Sequence, residues 1–141
     1  MALLVQPVAV LAAWTMIVWL WLYATRLPAM KRAGIDLSKR RGGRGKDLDG
    51  VLPDKVQWVS HNYNHLLEQP PLFYAVVIAL ALLGDASATS LGLAWGYVAL
   101  RVAHSLVQIL SNRVPLRFLL FALSSACLLV LVVRLVGAAF A

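Results

Sequence analysis

A chain of 141 residues that is 61% hydrophobic and 13% charged departs from the soluble norm of about 25% charged and about 45–50% apolar residues. The apolar excess comes in blocks, with no charge in residues 3–25, 69–84, 86–100 or 118–133. A chain this short cannot cover four uniformly apolar helices with polar surface, which excludes a soluble domain. The single cysteine, Cys127, excludes an intrachain disulfide framework. Runs near 20 residues match the roughly 30 Å hydrocarbon core of a bilayer. The expected fold is an all-α integral membrane protein. It is one domain over residues 1–141, a four-transmembrane-helix bundle running up, down, up and down.

The first helix is expected over residues 3–27, with Trp14, Trp19, Trp21 and Tyr23 in it and Pro28 ending or kinking it. No basic residue precedes it and its apolar run is long, unlike a typical secretory signal. Residues 28–55 form one long basic loop, made flexible by five glycines. The second helix is expected over 56–83, polar in its first half (WVSHNYNHLLEQPP) and apolar in its second, with a kink at Pro70 and Pro71. A short turn with an exposed Asp85 leads to a third helix at 90–110. A second short turn carrying Arg113 leads to a fourth helix at 116–140. Ten of the thirteen basic residues fall in the long loop, the second turn or the end of the first helix. That bias sets the loop in the cytoplasm and both termini outside; in a bacterial cell the membrane would be the inner one. Arg134 is the exception, close enough to the outer interface to snorkel. The RRGGRGK stretch is read as a loop drawn to anionic lipid headgroups, not as a nucleic-acid binder. Cys127, in an apolar setting, is read as packing and not as a nucleophile.

Charges inside lipid are costly and mark sites that face a bundle interior or a wet cavity. His61, His65 and Glu68 stand at i, i+4 and i+7 on one face of the second helix, with Asn62, Asn64 and Gln69 around them. Arg101, His104 and Gln108 stand at i, i+3 and i+7 on one face of the third, extended by Asn112. Neither stripe can face lipid, so each faces the other or a partner subunit. Arg117 opens the fourth helix at the same depth. The sum is a pocket near the cytoplasmic interface, with several cations and one carboxylate, suited to a small polar anion. Two other readings of the same residues stand beside it. Glu68 and Arg101 form a buried ion pair that fixes helix register, or His61, His65, Glu68 and His104 hold a metal.

The stretches NYNHLLEQPPLFY and ALRVAHSLVQILSNRVPLRF resemble the membrane-associated proteins in eicosanoid and glutathione metabolism (the MAPEG family). The more specific motif is Arg101, His104, Arg113, Pro115 and Arg117; the resemblance covers roughly residues 58–123. It implies a homotrimer that holds glutathione between subunits near the cytoplasmic face. It further implies that Glu68 receives the glutathione amine, that Arg101 and Arg113 meet its carboxylates, that His104 lines the tripeptide and that Arg117 stabilises the thiolate. Asn64, His65, Gln108 and His61 fall at neighbouring positions of that site. The chain departs from eicosanoid-type members in several places. Asn64 and His65 stand where Arg-Asn is common, and His61 stands where another arginine is common. Gln108 replaces a tyrosine, and Phe118 and Phe121 replace hydroxyl residues. The pattern is closer to a divergent bacterial branch.

The function expected is a glutathione- or thiol-dependent transferase or peroxidase acting on a small lipophilic electrophile drawn from the bilayer. The alternative is a non-enzymatic protein holding an anionic lipid or small metabolite in the same pocket. A channel or pump is disfavoured by the single intramembrane carboxylate.

Overall fold

The structure, a computed structural model, describes residues 2–141. It contains five α-helices: α1 (Ala2–Arg32), α2 (Asp54–Leu66), α3 (Pro70–Leu82), α4 (Ala88–Leu110) and α5 (Val114–Ala139). Counting α2 and α3 as one stretch, four helical stretches of 30, 29, 23 and 26 residues are long and apolar enough to cross a membrane. At 1.5 Å per residue each exceeds the roughly 30 Å hydrocarbon core. In α1, Leu4, Leu11, Val18, Leu22 and Ala29 are buried. Their near-heptad spacing puts them on one narrow seam that packs against α2, α3 and α4. The other faces of α1, with Leu3, Met16, Ile17 and Leu20, stay exposed, as a lipid-facing helix requires. Helix α4 is the most covered and α5 the least, and the two make the most extensive helix pair. Small residues lie at that contact: Gly96 faces Cys127, and a Cβ at residue 96 would stand 3.6 Å from Cys127 Sγ, an ordinary van der Waals distance.

Proline acts differently at its two sites. Helix α1 runs through Pro28 to Arg32, beyond the expected end at residue 27. The extension is held by packing: Ala29 and Met30 are buried against Leu48 and Leu52 of the following loop. At Pro70 and Pro71 the chain breaks. Two successive prolines remove two backbone donors, so α2 closes with i−3 bonds from Leu67 N to Asn64 O and from Glu68 N to His65 O, and α3 starts afresh at Pro70. Gln69, in the break, then spans the bundle. Its Nε2 donates to Ser125 Oγ of α5 at 3.0 Å, and its Oε1 accepts from Tyr97 Oη of α4 at 3.2 Å.

The glycine-rich loop is folded, contrary to the flexible segment expected. It forms two short 3-10 turns, Leu37–Lys39 and Gly45–Leu48. Gln57 at the start of α2 gathers it: Nε2 donates to Asp49 Oδ1 at 2.5 Å and to Gly45 O at 3.2 Å, while Oε1 accepts from Arg26 at 3.1 Å.

The α3–α4 turn also corrects an expectation. Asp85 is not a free surface group; its side chain is 12% exposed. One oxygen accepts from Ser90 Oγ at 2.5 Å and from Arg134 Nη2 at 3.4 Å, and the other from Ser87 N at 2.8 Å. Arg134 therefore does not merely snorkel; it binds α5 to the turn, donating also to Ser87 and Ser90. Burial raises the Asp85 carboxyl, but hydrogen bonds from Ser90 and Ser87 with the Arg134 charge outweigh it and hold the group at about 2. An unfolded aspartate titrates near about 3.9, so this stability is present above pH ~4 and is lost as the pH falls towards 2. Asp85→Ala is expected to cost about 2 kcal/mol of unfolding free energy in detergent at neutral pH. Asp85→Asn should also flatten the wild-type fall in stability below pH ~4, both read by thermal unfolding monitored by circular dichroism.

Candidate functional site

A cavity of about 390 Å³ opens between α2, α4 and α5. Its polar lining is His61, His65, Glu68, His104, Gln108 and Arg117; its apolar wall is Val114, Phe118 and Phe121. The broken second stretch supplies the first three groups. Because α2 ends at Leu66, Glu68 sits in the linker and reaches the rim, with 68% of its side chain exposed. Helix α4 supplies His104 and Gln108 from its buried face. Helix α5 supplies Val114, Arg117, Phe118 and Phe121 at i, i+3, i+4 and i+7, one continuous face. The α4–α5 turn is tight because Asn112 adopts a left-handed conformation (φ 51°), which asparagine tolerates better than most residues. Its Oδ1 then accepts from Arg117 Nη1, which fixes that guanidinium beside the cavity.

Behind the cavity lies Arg101, 1% exposed. Its surroundings differ from the expected ion pair with Glu68. Nη1 is 3.4 Å from His65 Nε2, and Nη2 donates to the His65 carbonyl at 3.4 Å. Tyr97 and Phe121 flank the charge, with ring centroids 5.7 and 5.6 Å from Cζ. His65 carries the connection onward, since its Nδ1 is 3.1 Å from Glu68 Oε2. Arginine cannot accept, so Nε2 of His65 is the acceptor and Nδ1 the donor towards Glu68. Its ring packs against His104 at 4.8 Å and Phe121 at 5.5 Å. The two polar stripes thus meet through a histidine pair and an arginine.

Among the described residues two buried polar atoms of lining residues, Arg117 Nε and Gln108 Oε1, have no partner, and so do Arg101 Nε, Ser105 Oγ and both polar amide atoms of Asn62 on residues outside the lining. Two other candidates lie apart from the cavity lining. Asn64 and Arg113 are exposed and do not line it. His61 lines it while turned to the loop, with Nε2 2.9 Å from Asp49 Oδ1. Hydrogen bonds from Gln57 and then His61 hold the Asp49 carboxyl below the usual carboxylate range. With His61 turned to Asp49, the metal reading loses its geometry. Among the described residues no group of three or more His, Cys, Asp or Glu side chains is placed to hold a metal ion. The apolar wall is legible in sequence as the i, i+4 and i+7 spacing of Val114, Phe118 and Phe121. The His61–Asp49 contact, between a loop and a helix, left no trace in sequence.

A model of the MAPEG family matches residues 4–137, nearly the whole chain. No curated protein and no solved structure matches the chain.

The Arg101–His65–Glu68 connection makes unequal demands on its members. His65→Phe keeps the ring packing but removes the one side-chain acceptor of a buried guanidinium, and is expected to cost about 2 kcal/mol. Glu68→Gln, at an exposed rim, should cost no more than about 0.5 kcal/mol. Thermal unfolding of both variants in one detergent compares them; equal losses would mean that Glu68 is the partner that holds Arg101.

Proposed function

The chain belongs to the MAPEG family, an integral membrane protein by that membership and by its four apolar helical stretches, and on that premise we propose that it is a thiol-dependent transferase or peroxidase. The thiol is glutathione and the second substrate a lipophilic electrophile. One observation carries the proposal. Arg101 is fully buried, yet among the described residues neither it nor Arg117 has a carboxylate in ion-pair contact. A cation withdrawn from water without a counter-charge is strongly unfavourable, so the cavity in front of these arginines favours an anion. Its volume of about 390 Å³ falls within the range of about 300–1,000 Å³ usual for small-molecule sites.

The residues present fit a tripeptide thiol with two carboxylates and one amine. Arg117, with Arg101 behind, attracts the carboxylates, and Glu68 at the rim accepts the amine. Gln108 and Arg117 line the cavity together with His104 and Glu68. When bound, glutathione supplies the nucleophilic sulfur. Arg117 supplies a fixed positive charge, and a cation beside a thiol lowers its pKa and raises the reactive thiolate fraction. Val114, Phe118 and Phe121 offer an apolar approach for a substrate arriving from the bilayer. The cavity faces outward on a single chain, which suits completion by a neighbouring copy in a homotrimer. By the positive-inside rule, the basic loop and the cavity lie on the cytoplasmic side of an inner membrane, with both termini outside.

A specific feature favours a second reading. The cavity lining contains no serine, threonine or tyrosine, so no hydroxyl is available to donate to a thiolate. In that reading the arginines hold an anionic lipid or small metabolite and no chemistry follows.

Purified protein should bind glutathione saturably at millimolar concentrations and conjugate an aryl halide or reduce an organic hydroperoxide. Arg117→Ala should cut kcat about 100-fold and move the pH–rate profile to higher pH, while Arg117→Lys keeps the profile. The thiol reading fails if no binding is seen by calorimetry at millimolar glutathione. A retained anionic lipid in native mass spectra, without turnover, would establish the second reading instead.

A further inference from the structure

A second cavity, of about 290 Å³, lies where α1 meets the basic loop and shares no lining residue with the first. Its floor is apolar: Leu27 and Met30 from α1, Leu37 and Leu48 from the loop. Its rim is cationic, made by Arg26, Arg40 and Arg44. The one opposing charge is Asp47, whose Oδ2 already accepts from Arg44 N at 2.7 Å. Among the described residues neither Arg40 nor Arg44 is in an ion pair. Arg26 is anchored through Nη2 to Ser60 at 2.7 Å and Gln57 at 3.1 Å, and its buried Nε has no partner. The loop packs closely over it at Gly45, where a Cβ would stand 3.0 Å from Arg26 Nη1.

An apolar track leads into this cavity. Leu20, Tyr23 and Leu27, at i, i+3 and i+7, are exposed on one side of α1 within its membrane-spanning stretch. Three arginines above an apolar floor, continuous with a lipid-facing helix side, form an amphipathic site with its charged end at the interface. Arginine matches phosphate oxygens with paired N–H donors. A soluble phosphate would use the rim and gain nothing from the floor or the track.

We propose that this cavity seats the phosphate of an anionic glycerophospholipid, with an acyl chain laid along Leu27, Tyr23 and Leu20. The lipid then ties the folded loop to the bilayer surface at the end of α1. The site is independent of the thiol reading, because it uses none of those residues.

The test is native mass spectrometry of the full chain in detergent, titrated with dioleoylphosphatidylglycerol or dioleoylphosphatidylcholine. The anionic lipid should saturate at one per chain and bind at least about tenfold tighter. A juxtamembrane cation contributes about fivefold to anionic lipid binding. The double variant Arg40→Gln/Arg44→Gln should therefore weaken binding about 25-fold, with an unchanged circular dichroism spectrum. Lys39→Gln/Arg41→Gln removes the same charge from loop residues outside the cavity and should weaken binding less than fivefold. Equal losses in the two double variants would overturn the proposal in favour of diffuse attraction. Displacement of the lipid by millimolar inorganic phosphate, or by single-stranded RNA, would overturn it in favour of a soluble anion or a nucleic acid.

Discussion

A guanidinium within a membrane bundle has to be solvated by protein, because hydrocarbon offers it nothing. Arg101 meets that constraint with few partners: one histidine, two aromatic faces and a backbone carbonyl. Each comes from a different place, His65 from α2, Tyr97 from α4 itself and Phe121 from α5. Solvating this one charge therefore requires three helices to converge at one level. The cavity forms at that level, with Arg117 on its far wall.

Convergence depends on the break between α2 and α3. An uninterrupted helix would carry Glu68 and Gln69 onward on its own surface. Two prolines end the helix instead and free both side chains for other work. Glu68 moves to the rim and Gln69 connects α4 to α5. In lipid, where burial of apolar area does not drive helices together, such hydrogen bonds and close small-residue contacts supply the association. The Asp85–Arg134 cluster does the same between α5 and the α3–α4 turn.

The charge distribution then separates two surfaces with different chemistry. The cavity between α2, α4 and α5 holds cations, histidines and an apolar wall in one small volume, an arrangement suited to a polar anion meeting an apolar molecule. The cavity under the loop sets three arginines and one aspartate over an apolar floor, an arrangement suited to one amphipathic molecule. Gln57 and His61 link them mechanically, since both hold Asp49 of the loop while His61 also lines the first cavity.

Charge-free runs and their lengths by themselves determined the membrane class and the number of spans, because bilayer thickness converts directly into residue count. The i, i+3, i+4 and i+7 spacing of polar residues determined which helix faces must avoid lipid, because helical periodicity is a local property. His65, His104 and Gln108 were identifiable for that reason, and Arg117 by its depth and its place in the motif. The motif from Arg101 to Arg117 made the family legible for a different reason, its fixed order and spacing. Tertiary structure decided the partners. Glu68 was matched to Arg101 by charge, but the helix break moved it to His65. Pro28 reads like Pro70 in a local window, yet α1 continues through it because Met30 and Ala29 gain a buried surface beneath Leu48 and Leu52. The glycines of the loop permit flexibility, but Gln57, Asp49 and Arg26 hydrogen-bond across long separations and fold it. Arg134 and Asp85 lie 49 residues apart, and only packing brings them together. Local sequence fixes periodicity and cost; pairing between distant residues is settled by how the helices and the loop pack, which no local window contains.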